Sequence, residues 1–342
     1  MIVVMKGGCS QADVDRVLGK IHALELDTNV SRGVQRTVIG VIGSEEKLAR
    51  LDLSATPGVE KIMRVLKPFK LASREFHPED TVVDVGGVKI GGGHFVVIAG
   101  PCAVESRERL FETARKVKAS GGMMLRGGAF KPRTSPYSFQ GLGEEGLKYL
   151  RECGDELDMP VITEVMDTRL VPLVGKYADV LQIGARNMQN FSLLMEVGRT
   201  EKPVLLKRGM SSTVQELLMS AEYIMSEGNA KVILCERGIK SFEPSVRNMM
   251  DISAVPNVKG LSHLPIIVDP SHGTGRYDLV AAMCKAALAA GADGVMVEVH
   301  PCPEEALSDG AQSLLPDRFD GLMTELRGIA GVLGKEMPAR EG

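Results

Sequence analysis

HFVVIAGP, residues 94–101, is apolar from its second residue until a glycine and a proline close it. A strand with one wet face alternates apolar and polar residues, whereas a strand covered on both faces is apolar throughout. Seven more runs of this texture follow, with helical stretches between them. They are GGMMLRGG (121–128), MPVITEVM (159–166), ADVLQIGA (178–185), PVLLKRG (203–209), KVILCERG (231–238), LPIIVDPSH (264–272) and GVMVEVH (294–300). Eight such βα units in about 240 residues match a (β/α)8 TIM barrel in count and length. An open, doubly wound sheet is the other arrangement available to these units, but no early GxGxxG loop supports it.

Residues 1–70 have a different rhythm. MIVVMK reads as a strand, Ser10 to about Leu26 as a helix, and Asp27 to Ser31 and VQRTVIGVIG as strands. A helical piece from Ser44 to Leu51 and the strand-like GVEKIMRVL complete a βαββαβ order, that of a ferredoxin-like or ACT-like module. Residues 71–93 form a linker followed by TVVDVGGVKIGGG, two alternating runs about a Gly-Gly pair, which predicts a β-hairpin. The barrel then occupies 94–342.

If the barrel is right, chemistry collects where its strands end. The strand ends offer Cys102, Arg126, Glu164, Arg186, Lys207, Arg237, Asp269 with His272, and Glu298. Period-two spacing puts Arg126 on one face with Met124, Glu164 with Ile162, Lys207 with Leu205 and Glu298 with Met296. Each polar group thus caps an apolar interior layer.

Two chemistries separate. Arg126, Lys131, Arg133, Arg186, Lys207 and Arg237 are cationic, and their convergence calls for a polyanionic ligand, such as a phosphate with a carboxylate. Arg208 and Lys240 read instead as solvated surface charge. Cys102, His272 and Glu298 combine a thiolate, an imidazole and a carboxylate, a mixed donor set suited to a divalent transition metal. A fourth donor stays open among Asp269, His300, Cys302 and Asp309.

The bulk composition excludes other classes. With 41 Lys and Arg against 44 Asp and Glu, the chain lacks the basic excess of a nucleic-acid binder. No apolar run approaches the ~20 residues of a membrane span. Six scattered cysteines and an opening MIVVMKGGCS too short for a secretion signal predict a reducing, cytoplasmic setting.

IAGPCAVES (98–106), GGAFKPRTSPYSFQGLG (127–143), LQIGARNMQN (181–190), LLKRGM (205–210), VDPSHGTGR (268–276) and VEVHPCPEEALSDGAQSL (297–314) resemble 3-deoxy-D-arabino-heptulosonate 7-phosphate (DAHP) synthases. The ferredoxin-like front resembles the short microbial subgroup with a regulatory domain there. The resemblance implies condensation of phosphoenolpyruvate with erythrose 4-phosphate, opening the shikimate pathway, by a metal-dependent aldol-like step with C–O cleavage. It implies a metal, Mn²⁺, Fe²⁺, Co²⁺ or Zn²⁺, on Cys102, His272, Glu298 and Asp309.

For phosphoenolpyruvate it implies Arg126, Lys131 and Lys207 at the carboxylate and Ala185, Arg186 and Arg237 at the phosphate. Arg133 and Thr134, with Ser135 beside them, match the positions that hold the sugar phosphate. Asp269 counts among the substrate-binding residues, and Lys131, Glu164, His272 and Cys102 among the catalytic ones. Glu164 is the expected group at the attacking water. A homotetramer and an aromatic amino-acid effector at residues 1–70 are further implications, though no motif there specifies the effector. The related 3-deoxy-D-manno-octulosonate 8-phosphate synthases share the barrel, but KPRTS is the heptulosonate pattern. Two other readings are a phosphate-binding metal aldolase, which a single His in the donor set fits poorly, and a non-catalytic metal and anion sensor.

Overall fold

The computed structural model describes residues 1–33, 36–43, 45–63, 68–133 and 135–338. They form two compact units, Met1–Asp80 with Leu261–His263, and Thr81–Gly260 with Leu264–Gly342.

In the first unit, β1 (Ile2–Met5), β2 (Asp27–Arg32), β3 (Thr37–Ile42) and β4 (Val59–Met63) form an antiparallel sheet in the order β2-β3-β1-β4. Helix α1 (Gln11–His22) covers it, and α2 spans Glu45–Arg50. Ser10 and Asp13 close a capping box that satisfies free backbone donors at the start of α1. Val14, Val17 and Ile21 then recur at helical spacing and bury against Val3, Met5, Ile39 and Val41. The order is the expected βαββαβ. The helix ends sooner than expected because the chain turns at Ala23, and Glu25 adopts the left-handed φ of 53° that a helix cannot accept.

The second unit opens with the hairpin β5 (Val83–Val85) and β6 (Val88–Ile90). Eight strands then close a parallel barrel among the described residues: β7 (Val96–Gly100), β8 (Met124–Arg126), β9 (Val161–Glu164), β10 (Val180–Ile183), β11 (Val204–Lys207), β12 (Val232–Glu236), β13 (Ile266–Val268) and β14 (Gly294–Glu298). Closure occurs between the first and last of them, with Gly294 to Glu298 paired residue by residue to Val96 to Gly100. Every strand falls inside one of the eight apolar runs.

Ile98, Met124, Ile162, Leu205, Ile233, Ile267 and Met296 fill the interior. The hairpin joins the same cluster through Val83, Val85 and Ile90. Its turn lies against Pro160 and its end against Pro265, the residues that precede β9 and β13, so it floors the barrel at the N-terminal end of the strands. Arg126, Glu164, Lys207 and Glu298 stand one inward step above that filling, at the opposite mouth.

Candidate active site

Three strand ends bring the metal-like donors together. Cys102 follows β7, Glu298 ends β14, and His272 sits in the short helix α3 (Pro270–Thr274) directly after β13. One ligand atom from each lies within 4.8 Å of the others. Asp269 caps that helix by accepting from the His272 backbone N–H at 3.0 Å, and the same carboxylate accepts from His272 Nδ1 at 2.8 Å. The imidazole is therefore held with Nε2 toward Glu298 Oε1, 3.3 Å away.

Glu298 has no exposed surface, and Oε1 makes no hydrogen bond, while Oε2 accepts from Gln312 Nε2 at 2.8 Å. Arg126 Nη1 and His272 Nε2 each stand 3.3 Å from that Oε1 without hydrogen-bonding to it, so the oxygen faces one cation and still has room for a ligand bond. Together with a thiol and an imidazole at the same point, it fits a divalent transition metal. Burial pushes the Cys102 thiol up to about 12, and the Glu298 charge adds to that; a bound cation reverses such a shift.

Among the four donors left open, Asp309 brings Oδ2 to 3.3 Å from Cys102 Sγ. His300 is engaged on both ring nitrogens, with Glu105 and with the Cys302 backbone N–H, and Asp269 is engaged with His272 and Lys207. Asp309 holds a left-handed φ of 52°, a conformation of the kind that concentrates at functional sites.

The cationic set encloses a cavity of about 350 Å³. All six predicted cations line it, and so do Glu164, Ala185, Ser135 and Asp309. Arg126, Lys131, Lys207 and Arg237 are buried, while Arg133 is half-buried and Arg186 exposed at the rim. Arg126 faces Glu298 at 3.3 Å, and its buried Nε has no partner. Lys131 Nζ donates to the Cys102 carbonyl at 3.0 Å and to its sulfur at 3.1 Å. Gly128 makes that route possible, since a Cβ there would lie 2.7 Å from Lys131 Cδ and 2.9 Å from the Cys102 carbonyl. Arg133 donates to Ser308 at 2.7 Å. Burial lowers the Arg237 pKa, which marks a cation held at some cost.

Asp269 and Arg208 both prove to be held by ion pairs. Asp269 has no exposed surface, and Lys207 Nζ lies 2.5 Å from its Oδ2. Burial alone would raise its carboxyl, but His272 and Lys207 hold it well below the usual range. It holds those two side chains in place. Arg208 is not solvated but 5 % exposed, bonded to Glu236 and Asp251 outside the barrel wall. Alternation carries Lys207 inward and its neighbour outward, where helices rather than water wait. Lys240 is exposed, as expected. Thr134 lies outside the described residues.

Sequence reading missed Arg247 and Gln182, which line the cavity, and Gln312 behind Glu298. Gln182 points inward from β10, 3.4 Å from Glu164, and period-two spacing from the strand end would have found it. Arg247 occupies an irregular segment and Gln312 ends a three-residue 3-10 turn, Gly310–Gln312, too short to show a period.

The architecture has close counterparts. The family described as "DAHP synthetase I family" matches residues 73–330, and the "DAHP synthase ferredoxin-like domain" matches residues 1–67. The phospho-2-dehydro-3-deoxyheptonate aldolase of Thermotoga maritima is 55% identical, covering 98% of this chain and 99% of its own. A crystal structure of that Thermotoga maritima protein superposes with a TM-score of 0.78, at 54% identity over 98% of both chains. The 2-dehydro-3-deoxyphosphooctonate aldolase of Geobacter sulfurreducens is 31% identical over 73% of this chain and 98% of its own. Front module, barrel and match across nearly the whole length agree: the chain belongs to the DAHP synthetase I family.

Proposed function

We propose that the barrel mouth joins phosphoenolpyruvate to D-erythrose 4-phosphate and water, giving 3-deoxy-D-arabino-heptulosonate 7-phosphate and inorganic phosphate. The observation that carries this reading is a cavity lined by six cations together with His272 and Asp309, with Cys102 and Glu298 buried within 4.8 Å of the His272 ligand atom. Cys102, His272, Glu298 and Asp309 would hold a divalent transition metal. When bound, that metal supplies Lewis-acid polarisation of the sugar aldehyde.

The protein's own groups do the rest. Arg126, Lys131 and Lys207 hold the carboxylate of phosphoenolpyruvate, and Arg186, Arg237 and the Ala185 backbone hold its phosphate. Arg133, Thr134 and Ser135 hold the phosphate of erythrose 4-phosphate. C3 of phosphoenolpyruvate attacks the aldehyde carbon, positive character grows at C2, and water adds there. Glu164, an acid among cations, orients that water and accepts its proton. The C2–O bond then breaks, and Arg186 and Arg237 stabilise the departing phosphate. Lys131, beside Cys102, is placed to return a proton to the new hydroxyl. His272 is tied to Asp269 through Nδ1 and serves as a fixed donor through Nε2.

The front unit is read as the seat of an aromatic amino-acid effector, and the assembly as a cytoplasmic homotetramer. Among the described residues, no helix is long and apolar enough to cross a membrane.

The test is phosphate release from phosphoenolpyruvate with erythrose 4-phosphate or arabinose 5-phosphate as acceptor. It is run with and without chelator, and with Phe, Tyr or Trp. Turnover with the four-carbon sugar, abolished by chelation, is expected. Preference for the five-carbon sugar, or full activity after exhaustive chelation, would refute the reading.

A further inference from the structure

The loop after β12 leaves the barrel at Gly238 and returns at Met249. Ile239 and Met249 exchange both backbone hydrogen bonds, at 3.0 and 2.9 Å, and so pin the base of the excursion. The two residues before that return, Arg247 and Asn248, lie along the segment that carries His272. The Arg247 N–H donates to the Thr274 carbonyl at 2.8 Å, and the Asn248 N–H to the Gly273 carbonyl at 3.1 Å. Glycines allow this contact, since a Cβ at Gly275 would lie 2.5 Å from Arg247 Cβ, and one at Gly238 would lie 2.9 Å from Asn248 Cβ.

From that fixed backbone the two side chains reach the supports of three donors. Buried Asn248 donates through Nδ2 to the His272 carbonyl at 3.0 Å. Arg247 Nη1 donates to Asp309 Oδ1 at 3.3 Å and to Gln312 Oε1 at 3.0 Å. Gln312 in turn holds Glu298 Oε2 at 2.8 Å, which leaves Oε1 turned toward His272. One dipeptide thus ties together loops that follow β12, β13 and β14. Asp309, in its left-handed conformation, gains from Arg247 a contact that fixes which oxygen faces Cys102.

We propose that Arg247 and Asn248 are positioning residues for the metal site, holding His272, Glu298 and Asp309 in ligating orientation before the metal arrives. This rests on the assignment of those three residues and Cys102 as ligands. Outer contacts of this kind are worth about 10–100-fold in metal affinity when removed. The geometry distributes the effect: Arg247 acts on two carboxylates, whereas Asn248 acts on the backbone behind one imidazole.

The experiment is titration of the chelator-stripped, full-length protein with Co²⁺ alone, read by the thiolate-to-cobalt charge-transfer absorption that ligation by Cys102 would give. Arg247→Met keeps the aliphatic stem against Gly275 and removes the donors. Arg247→Lys returns a single donor. Thermal melts of the stripped variants check that the fold is kept, and Arg247 is exposed enough for both to be tolerated.

The expected result is Co²⁺ affinity weakened about 10–100-fold by Arg247→Met and partly restored in Arg247→Lys. Affinity of Arg247→Met within about twofold of the parent, well short of that range, would overturn the proposal while leaving the ligand assignment intact. No charge-transfer band in the parent itself would instead remove the ligand assignment, and the proposal with it.

Discussion

Replacing Asp269 with Asn removes a charge at nearly constant volume and turns the oxygen shared by Lys207 and His272 into an amide donor. The side chain has no exposed surface, and its carboxylate meets Lys207 Nζ at 2.5 Å, His272 Nδ1 at 2.8 Å and the His272 N–H at 3.0 Å. Asn fills the same volume and can still accept from the backbone, but Lys207, 4 % exposed, loses its ion-pair partner. Leaving a buried charge uncompensated costs about 3–5 kcal/mol. With ~2.1 cal/mol/K of unfolding entropy per residue over the roughly 260-residue barrel unit, Tm should fall by about 5–9 °C.

Circular-dichroism melts of chelator-stripped protein measure this. Lys207→Met/Asp269→Asn should recover most of the loss, because the stranded charge is gone. The sign with pH follows from the depressed Asp269 pKa. Its contribution is fully present above the ordinary carboxylate value, about 4, and is lost as pH falls through the lower folded value. The gap between parent and Asp269→Asn should therefore be flat from about pH 5 to 8 and close in stronger acid. A Tm change below about 1 °C, or single costs that add in the double variant, would refute the reasoning.

Metal affinity should rise about tenfold per pH unit between roughly pH 7 and 9, because Cys102 must shed one proton from a thiol pushed up to about 12. His272, whose pKa burial lowers, is already neutral there and adds no second proton; Co²⁺ titrations showing a slope of zero or two would contradict this. Arg133→Ala should raise KM for erythrose 4-phosphate by about 10–100-fold, the worth of one charge-assisted hydrogen bond, with KM for phosphoenolpyruvate little changed. Steady-state kinetics with each substrate varied would expose equal weakening. Gly128→Ala should push Lys131 off Cys102, given the 2.7 Å approach to its Cδ, and lower kcat at least tenfold; a crystal structure of the variant with Lys131 unmoved would contradict the cause.

Much of this was legible in one dimension. The eight strands announce themselves because strands covered on both faces need unbroken apolar runs, and each observed strand lies inside one. The rim was legible because a polar residue ending such a run must face the mouth, as Arg126, Glu164, Lys207 and Glu298 do. Failures have one source, partners that are close in space and far in sequence. Arg208 looked like surface charge because Glu236 and Asp251 are distant along the chain. The ion pair of Asp269 with Lys207, 62 residues away, was equally out of reach. Arg247, in an irregular segment, and Gln312, at the end of a three-residue 3-10 turn, show no readable period, and their meaning appears only when three loops stack.

The hairpin of Val83–Val85 and Val88–Ile90 closes the floor of the barrel, and among the described residues the cavity lies toward the opposite mouth, its neck. Whatever lies deepest must enter first and leave last. Under the proposed assignment, Arg126 and Lys207 at 3 and 4 % exposure hold phosphoenolpyruvate at the bottom, while half-buried Arg133 holds the sugar phosphate nearer the neck. Under the same assignment, phosphate freed beside Arg237 would leave past the sugar-phosphate site, so traffic through the neck would help set the order of events.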